Sequence, residues 1–200
     1  MSMFSVVQKS ASGYSMIPIE SKLFSNRNIY IEGEINGESA MLVVKQIHLL
    51  NIEDSRKPIN LFINSPGGEI NAGMMIYDAM QNSPCPVNTV CMGYAYSMGA
   101  ILVACGSGKR CILPHSQMMI HEPLIANRIG GSASSIEDLS RSLNRTKQEM
   151  NAILSKHTGK SREDVEKASE YDHYYTADEA VTFGLCDKII TFDEILKGEE

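Results

Sequence analysis

Residues 87–104, VNTVCMGYAYSMGAILVA, decide the architecture. The apolar run Val87 to Met92 is short and bounded by turn residues, which predicts a buried strand. The small-residue stretch Gly93-Tyr94-Ala95-Tyr96-Ser97-Met98-Gly99-Ala100 follows, and then a second apolar run, Ile101 to Ala104, that predicts a buried helix. A serine where a strand gives way to a helix lies near the positive end of the helix dipole, beside N–H groups with no helical partner. Such a place can hold an alkoxide or an oxyanion. The motif by itself is weak. The hydrolase nucleophile elbow is written G-x-S-x-G, and the second residue before Ser97 is Ala95.

Working outward, Asn28 to Gly33 alternates and predicts a strand, and from Ser39 the set Met41, Val44, Ile47 and Leu50, broadened by Val43, has helical spacing. Pro58 to Ile63 is a short strand that ends in Asn64-Ser65-Pro66-Gly67-Gly68, the strongest turn signal in the chain. Paired glycines there allow positive φ and close approach of backbone to a ligand. Ile70 to Met80 is helical. Strand, turn, helix, strand, nucleophile-type turn and helix make an α/β fold of crossover units, with parallel pairing expected.

Downstream, Arg110 to Leu113 and Met118 to Ile120 read as strands, residues 125–135 as a loop, and Ile136 to Lys156 as a long helix with a thin apolar stripe. A helix so polar on most faces must project or pack on another subunit. Ser161 begins a short helix, and Thr176-x-x-Glu179 is a capping box that opens a helix over Ala177 to Phe183. A strand over Lys188 to Thr191 leads to a charged tail. Residues 1–20 lack periodicity and read as a flexible arm ahead of a single domain over 21–200.

The composition narrows the function classes. A chain of 200 residues, 43% hydrophobic, fits one domain with a sizeable core. The net charge of −6 and the absence of a basic cluster argue against nucleic acid and membrane surfaces as partners. No apolar run approaches the roughly 18 residues of a spanning helix, and Met1 to Met16 resembles neither a signal nor a transit peptide, so a cytoplasmic location is expected. Five cysteines without a C-x-x-C pair read as reduced, buried thiols rather than a disulfide framework or a zinc site. Gly159-Lys160-Ser161 is not a phosphate loop, because Leu154 stands where that motif requires glycine.

Two further residues give Ser97 chemical company. A serine hydroxyl cannot attack an amide unaided; an imidazole must take its proton, and a carboxylate must hold that imidazole. His121 follows the strand Met118 to Ile120, and Asp172 precedes a short strand. The chain order Ser97, His121, Asp172 differs from the α/β-hydrolase order. His115 and His173 are rivals for the base on sequence alone.

Asn64-Ser65-Pro66-Gly67-Gly68, Cys91-Met92-Gly93-x-Ala95-x-Ser97-Met98-Gly99-Ala100, Leu113-Pro114, Met119-Ile120-His121-x-Pro123 and Ala180-Val181-x-x-Gly184-Leu185-x-Asp187 together resemble the proteolytic subunit of Clp protease, over about residues 28–191. The resemblance implies a serine endopeptidase of crotonase-like fold, built as two stacked heptameric rings that enclose a chamber. Ser97 matches the nucleophile, His121 the base and Asp172 its orienter, with the N–H groups of Gly68 and Met98 as the oxyanion hole. No metal or cofactor is implied; ATP is used by a partner unfoldase, which delivers unfolded polypeptides. The polar helix resembles the family's handle, here about residues 122–160.

Three departures from the family pattern carry expectations. Tyr96 replaces a small residue beside the nucleophile and predicts a restricted specificity pocket. Tyr171 replaces an arginine used in pairing rings, which predicts labile double rings. Asn60, Asn82 and Cys111 replace aromatics of the unfoldase-docking clefts, while Phe62, Val90, Met92 and Leu113 remain. That pattern predicts weak docking and a paralogous subunit in a mixed assembly. Two alternatives stand beside the peptidase: a weakly active or structural ring subunit, and an acyl-CoA hydrolase or hydratase of the crotonase type.

Overall fold

The structure is a computed structural model that describes residues 4–10, 13–125 and 130–197. In chain order the elements are β1 (Ser5–Ser10), β2 (Gly13–Pro18), α1 (Ile19–Ser25), β3 (Asn28–Glu32), α2 (Gly37–Glu53), β4 (Ile59–Ser65), α3 (Ile70–Gln81), β5 (Val87–Tyr96) and α4 (Met98–Ala104). There follow β6 (Arg110–Ile112), β7 (Gln117–Ile120), α5 (Ala133–Thr158), α6 (Arg162–Ser169), β8 (His173–Tyr175), α7 (Ala177–Phe183), β9 (Lys188–Ile189) and α8 (Phe192–Lys197).

The expected parallel α/β layout is present. β3, β4, β5, β6 and β9 lie side by side in that order, all parallel. β5 has two successive partners on one edge: Thr89 to Cys91 pair with β6, and Tyr94 to Tyr96 pair with β7. Gly93 makes the change of partner, with φ of 86° and its N–H donated to Ser116 Oγ at 2.8 Å. β8 adds antiparallel to β7. The core joins Ile29, Ile31, Leu61 and Ile63 of the sheet to Ile47 of α2, Ile76 of α3 and Leu102 of α4.

Local chemistry explains the boundaries. The Asn36 side chain accepts the N–H groups of Glu38 and Ser39, while Ser39 Oγ accepts that of Asn36, so α2 opens with a full capping box. The predicted box at Thr176 and Glu179 opens α7. The buried stripe of α2 is Ala40, Val43, Ile47 and Leu50, so Met41 faces outward, 43% exposed. Arg27, at φ of 64°, sends its guanidinium to the carbonyls of Leu50, Lys57 and Pro58 and so fastens the end of α2 to the loop before β4.

Four stretches differ from the sequence expectation. Residues 5–10 and 13–18 form a two-stranded antiparallel ribbon where the sequence carries no strand period, tied to α1 by the Ile19 N–H donating to Phe4 O. Val7, Tyr14 and Met16 point to solvent in it, so no buried alternation marks the strands. β5 runs to Tyr96 because β7 pairs with its second half. The charged tail begins as α8, where the Thr191 N–H donates to Glu194. Of the loop expected over 125–135, residues 126–129 lie outside the described residues, and Ala133 already belongs to α5.

α5 behaves as its composition requires. Its buried residues, Met150, Asn151 and Leu154, all lie in its C-terminal half, while Ile136 and Leu139 are exposed. Gly159, at φ of 72°, ends it. All five cysteines are buried free thiols, and burial pushes the Cys91 thiol up to about 12. Among the described residues no helix is long and apolar enough to cross a membrane.

Candidate active site

Ser97 joins β5 to α4 at φ of 53° and ψ of −122°, a conformation that L side chains seldom adopt. Its N–H donates to Met119 O at 2.8 Å, which fixes the turn against β7. A serine before a helix ordinarily caps it, but Ser97 makes no side-chain cap bond. Its Oγ instead lies 2.8 Å from His121 Nε2. The strained turn thus holds the hydroxyl off its own helix and against an imidazole. Strain of this kind is stored at about 1–3 kcal/mol, and the surrounding sheet over-determines it.

The glycine turn stands directly opposite. Gly67 and Gly68 have φ of 96° and 150°. A Cβ on Gly67 would sit 2.7 Å from Ser97 Cβ, and one on Gly68 would sit 2.1 Å from Ile35 O. Three bonds hold the turn: Ile35 N–H to Gly67 O, Glu69 N–H to Ile35 O, and Gly67 N–H to Ser65 Oγ. Ser65, fully buried, donates its own hydroxyl to Gly33 O at 2.6 Å. The Gly68 N–H meets no acceptor among the described residues, and the Met98 N–H, first in α4, has none in its helix. Met98 is pinned by its side chain, which fills the space a Cβ on Gly73 would need, 2.2 Å from Met98 Cγ.

The structure separates the rival histidines. His121 alone reaches Ser97; His115 is exposed in the turn before β7, and His173 is exposed and stacked on Tyr175 with ring centroids 4.3 Å apart. Asp172 is not brought in. It lies exposed just before β8 and makes no hydrogen bond with His121 or any other described residue. The structure therefore brings Ser97 and His121 together and gives Asp172 no bond to either.

Tyr96 also departs from expectation. Along β5 it points to the same side as Tyr94, where its hydroxyl donates to Gln117 Oε1 at 2.6 Å and its ring meets Tyr174. It lines neither of the two cavities that open on Ser97. One is a small recess walled by Ile70, Ile101, Ile120, Met150 and Leu154, and the other an open groove of about 780 Å³ running between Glu69 and Leu143. The apolar recess, not Tyr96, bounds what can lie beside the hydroxyl.

Sequence reasoning missed Ser65 and Lys147. Ser65 could have been found from its place ahead of Pro66-Gly67, where a hydroxyl caps a turn. Lys147 of α5 pairs with Glu122, next to His121, at 2.8 Å and with Glu166 of α6 at 3.1 Å, contacts that no local pattern announces. The hydrogen bonds to Glu122 and Glu166 raise the pKa of Lys147 above the ordinary lysine range.

The family model for Clp protease matches residues 11–193. With nearly the whole chain covered and the crotonase-like α/β fold in place, this protein belongs to the Clp protease family.

Proposed function

We propose that this Clp-type peptidase is a serine endopeptidase with Ser97 as nucleophile, His121 as general base, Asp172 as orienter and the N–H groups of Gly68 and Met98 as oxyanion hole. The observation that carries the reading is the 2.8 Å contact between Ser97 Oγ and His121 Nε2 beside two N–H donors without acceptors. Ser97 Oγ attacks the scissile carbonyl carbon as His121 Nε2 takes its proton. The carbonyl oxygen, now negative, is held by Gly68 and Met98, an effect worth about 3 kcal/mol per donor in hydrolases. The amine leaves with the proton returned from His121, and the acyl chain stays on Ser97. Water then attacks this ester with His121 again as base, releasing the new carboxyl end and free Ser97. These steps use side chains and backbone alone; ATP is consumed by the unfoldase partner.

For Asp172 to support the imidazolium it must approach His121 Nδ1. Assembly into two stacked heptameric rings supplies the force in this reading, since α5 projects with exposed Ile136 and Leu139 and needs a partner face. The substrates are unfolded polypeptides, in the cytoplasm. The docking face for the unfoldase retains Phe62, Val90, Met92 and Leu113 but presents Asn60 and Cys111 among them, which supports weak docking and a paralogous subunit in a mixed ring. The stand-off of Asp172 also favours a second reading, a ring subunit of low activity by itself. An acyl-CoA hydratase would have no use for the contact between Ser97 and His121.

Labelling with a fluorophosphonate probe tests the proposal. Wild-type protein should be labelled on Ser97 and hydrolyse a peptide, and Ser97→Ala should do neither. Labelling that survives Ser97→Ala would refute it.

A further inference from the structure

The open groove on which Ser97 and His121 face carries charge of one sign. Glu34 and Glu69 line it, and among the described residues no lysine or arginine does. Both carboxylates belong to the framework of the glycine turn. Ile35 and Gly68 form a parallel bridge, and the Glu69 N–H donates to Ile35 O. Glu34 precedes the one bridged residue and Glu69 follows the other, so the pair flanks the Gly68 N–H that has no acceptor.

Neither carboxylate has other employment among the described residues. Glu69 stands at the N-cap of α3 but makes no side-chain cap bond. Glu34 accepts the Ser39 hydroxyl through its backbone carbonyl, which leaves its side chain unused. Both side chains are exposed to the groove. The acid on the far side of the dyad is treated differently: Glu122, next to His121, is neutralised by Lys147 at 2.8 Å. Two exposed acids are ordinary on a surface. These two border a serine–histidine contact and a free N–H donor, where a polypeptide must lie if the groove is used.

A chain that places its scissile carbonyl on the Gly68 N–H runs past Glu69, the next residue. An extended peptide advances about 3.3 Å per residue, and lysine and arginine carry their charge on long stems. A cation within three residues of the scissile bond therefore reaches these carboxylates, and an acidic side chain there meets like charge. We propose that Glu34 and Glu69 determine specificity: they favour segments with a lysine or arginine within three residues of the cleaved bond and disfavour segments with aspartate or glutamate there. This rests on the peptidase reading given above.

The test uses the assembled full chain and peptides cleaved at one mapped bond, with lysine, alanine or glutamate placed in turn at each of three positions on either side. At one position or more, kcat/KM for the lysine peptide should exceed that for alanine about fivefold, and glutamate should fall below alanine by a similar factor, the upper end for an exposed ion pair. In 1 M salt the spread should shrink to within about twofold, because screening then acts over about 3 Å. Glu34→Gln with Glu69→Gln should remove the preference, and Glu69→Lys should invert it. The ratio of two peptides is taken within one protein, so a change in overall activity cancels, and the salt series on wild-type protein decides if a variant fails to fold. Lysine and glutamate peptides within twofold of each other at every position, or a preference that survives either 1 M salt or the double glutamine variant, overturns the proposal. Wild-type protein that is labelled on Ser97 but does not rank the peptides overturns this proposal alone. Protein that is neither labelled nor active on any peptide removes the peptidase reading, and this proposal with it.

Discussion

Arg110→Ala is the substitution whose effect the structure fixes most closely. Arg110 is 16% exposed in its side chain, and its Nη1 donates to three carbonyls, those of Ala104, His157 and Gly184, at 3.1, 2.7 and 3.0 Å. These carbonyls stand at the C-terminal ends of α4, α5 and α7, where a cation also meets the negative end of each helix dipole. On its outer side the guanidinium pairs with Asp187, which also accepts the Arg110 N–H at 2.9 Å. Deleting the side chain strands three carbonyls and leaves Asp187 only the Arg110 N–H and solvent. Bonds from charged donors contribute about 1.5–3 kcal/mol each, but they do not add, and removing one member of such a network costs about 3–5 kcal/mol. Asp187→Asn removes only the ion pair, whose acidic member is 46% exposed, and should cost about 1 kcal/mol or less after screening. The two variants are therefore separated by roughly 2 kcal/mol or more. Urea unfolding followed by far-ultraviolet circular dichroism measures this, since the chain has no tryptophan, at one protomer concentration so that assembly does not shift the midpoint. Variants within about 0.5 kcal/mol of each other would refute the claim that the carbonyl clamp dominates.

Asp187 should show the linked pH effect. Burial pushes its carboxyl up, but the Arg110 hydrogen bonds and charge together outweigh this and hold it below its ordinary value. Its contribution is thus present above the unfolded-state value of about 3.9 and lost as pH falls through the lower folded value, so the gap between wild type and Asp187→Asn should close below about pH 4. A gap that widens on acidification would contradict the sign. Gly68→Ala should abolish peptide hydrolysis, because a Cβ 2.1 Å from Ile35 O forces the donor turn to move; unchanged turnover would mean that the Gly68 N–H is not used. Tyr171, 77% exposed and without a partner among the described residues, offers no charge to a facing ring. Sedimentation of the pure chain is expected to show double rings separating on dilution, and a tight double ring at low concentration would count against this.

Elements whose buried face repeats at the helical or strand period were legible in the sequence: α3, the first half of β5, and α7 with its capping box. Local periodicity failed where long-range pairing decides. The second half of β5 is a strand because Gln117 to Met119 lie beside it, and nothing in Gly93 to Tyr96 states that. α2 turned its stripe by one position, since its outer face carries Met41 and Leu42, as apolar as the buried one. At the site, proton-transfer logic and the family resemblance brought Ser97 and His121 together, and the structure chose His121 over His115 and His173 by distance. The lack of a bond between Asp172 and His121 was not legible, because Asp172 lies at the edge of a three-residue strand placed by long-range pairing with β7.

The divided pairing of β5 has a consequence for the birth of the chain. Synthesis through Ile112 supplies β3 to β6, the glycine turn and Ser97, so the donor side of the site is complete while no imidazole stands near the hydroxyl. His121 arrives with the next strand, Asp172 after the long helix, and the Asp187 that faces Arg110 later still. On the proposed triad, a nascent chain that has not yet reached His121 lacks its base, and one that has not reached Asp172 lacks the orienter. A fragment ending at Ile112 should leave Ser97 unreactive toward the fluorophosphonate probe; reactivity there would show that the turn alone arms the serine.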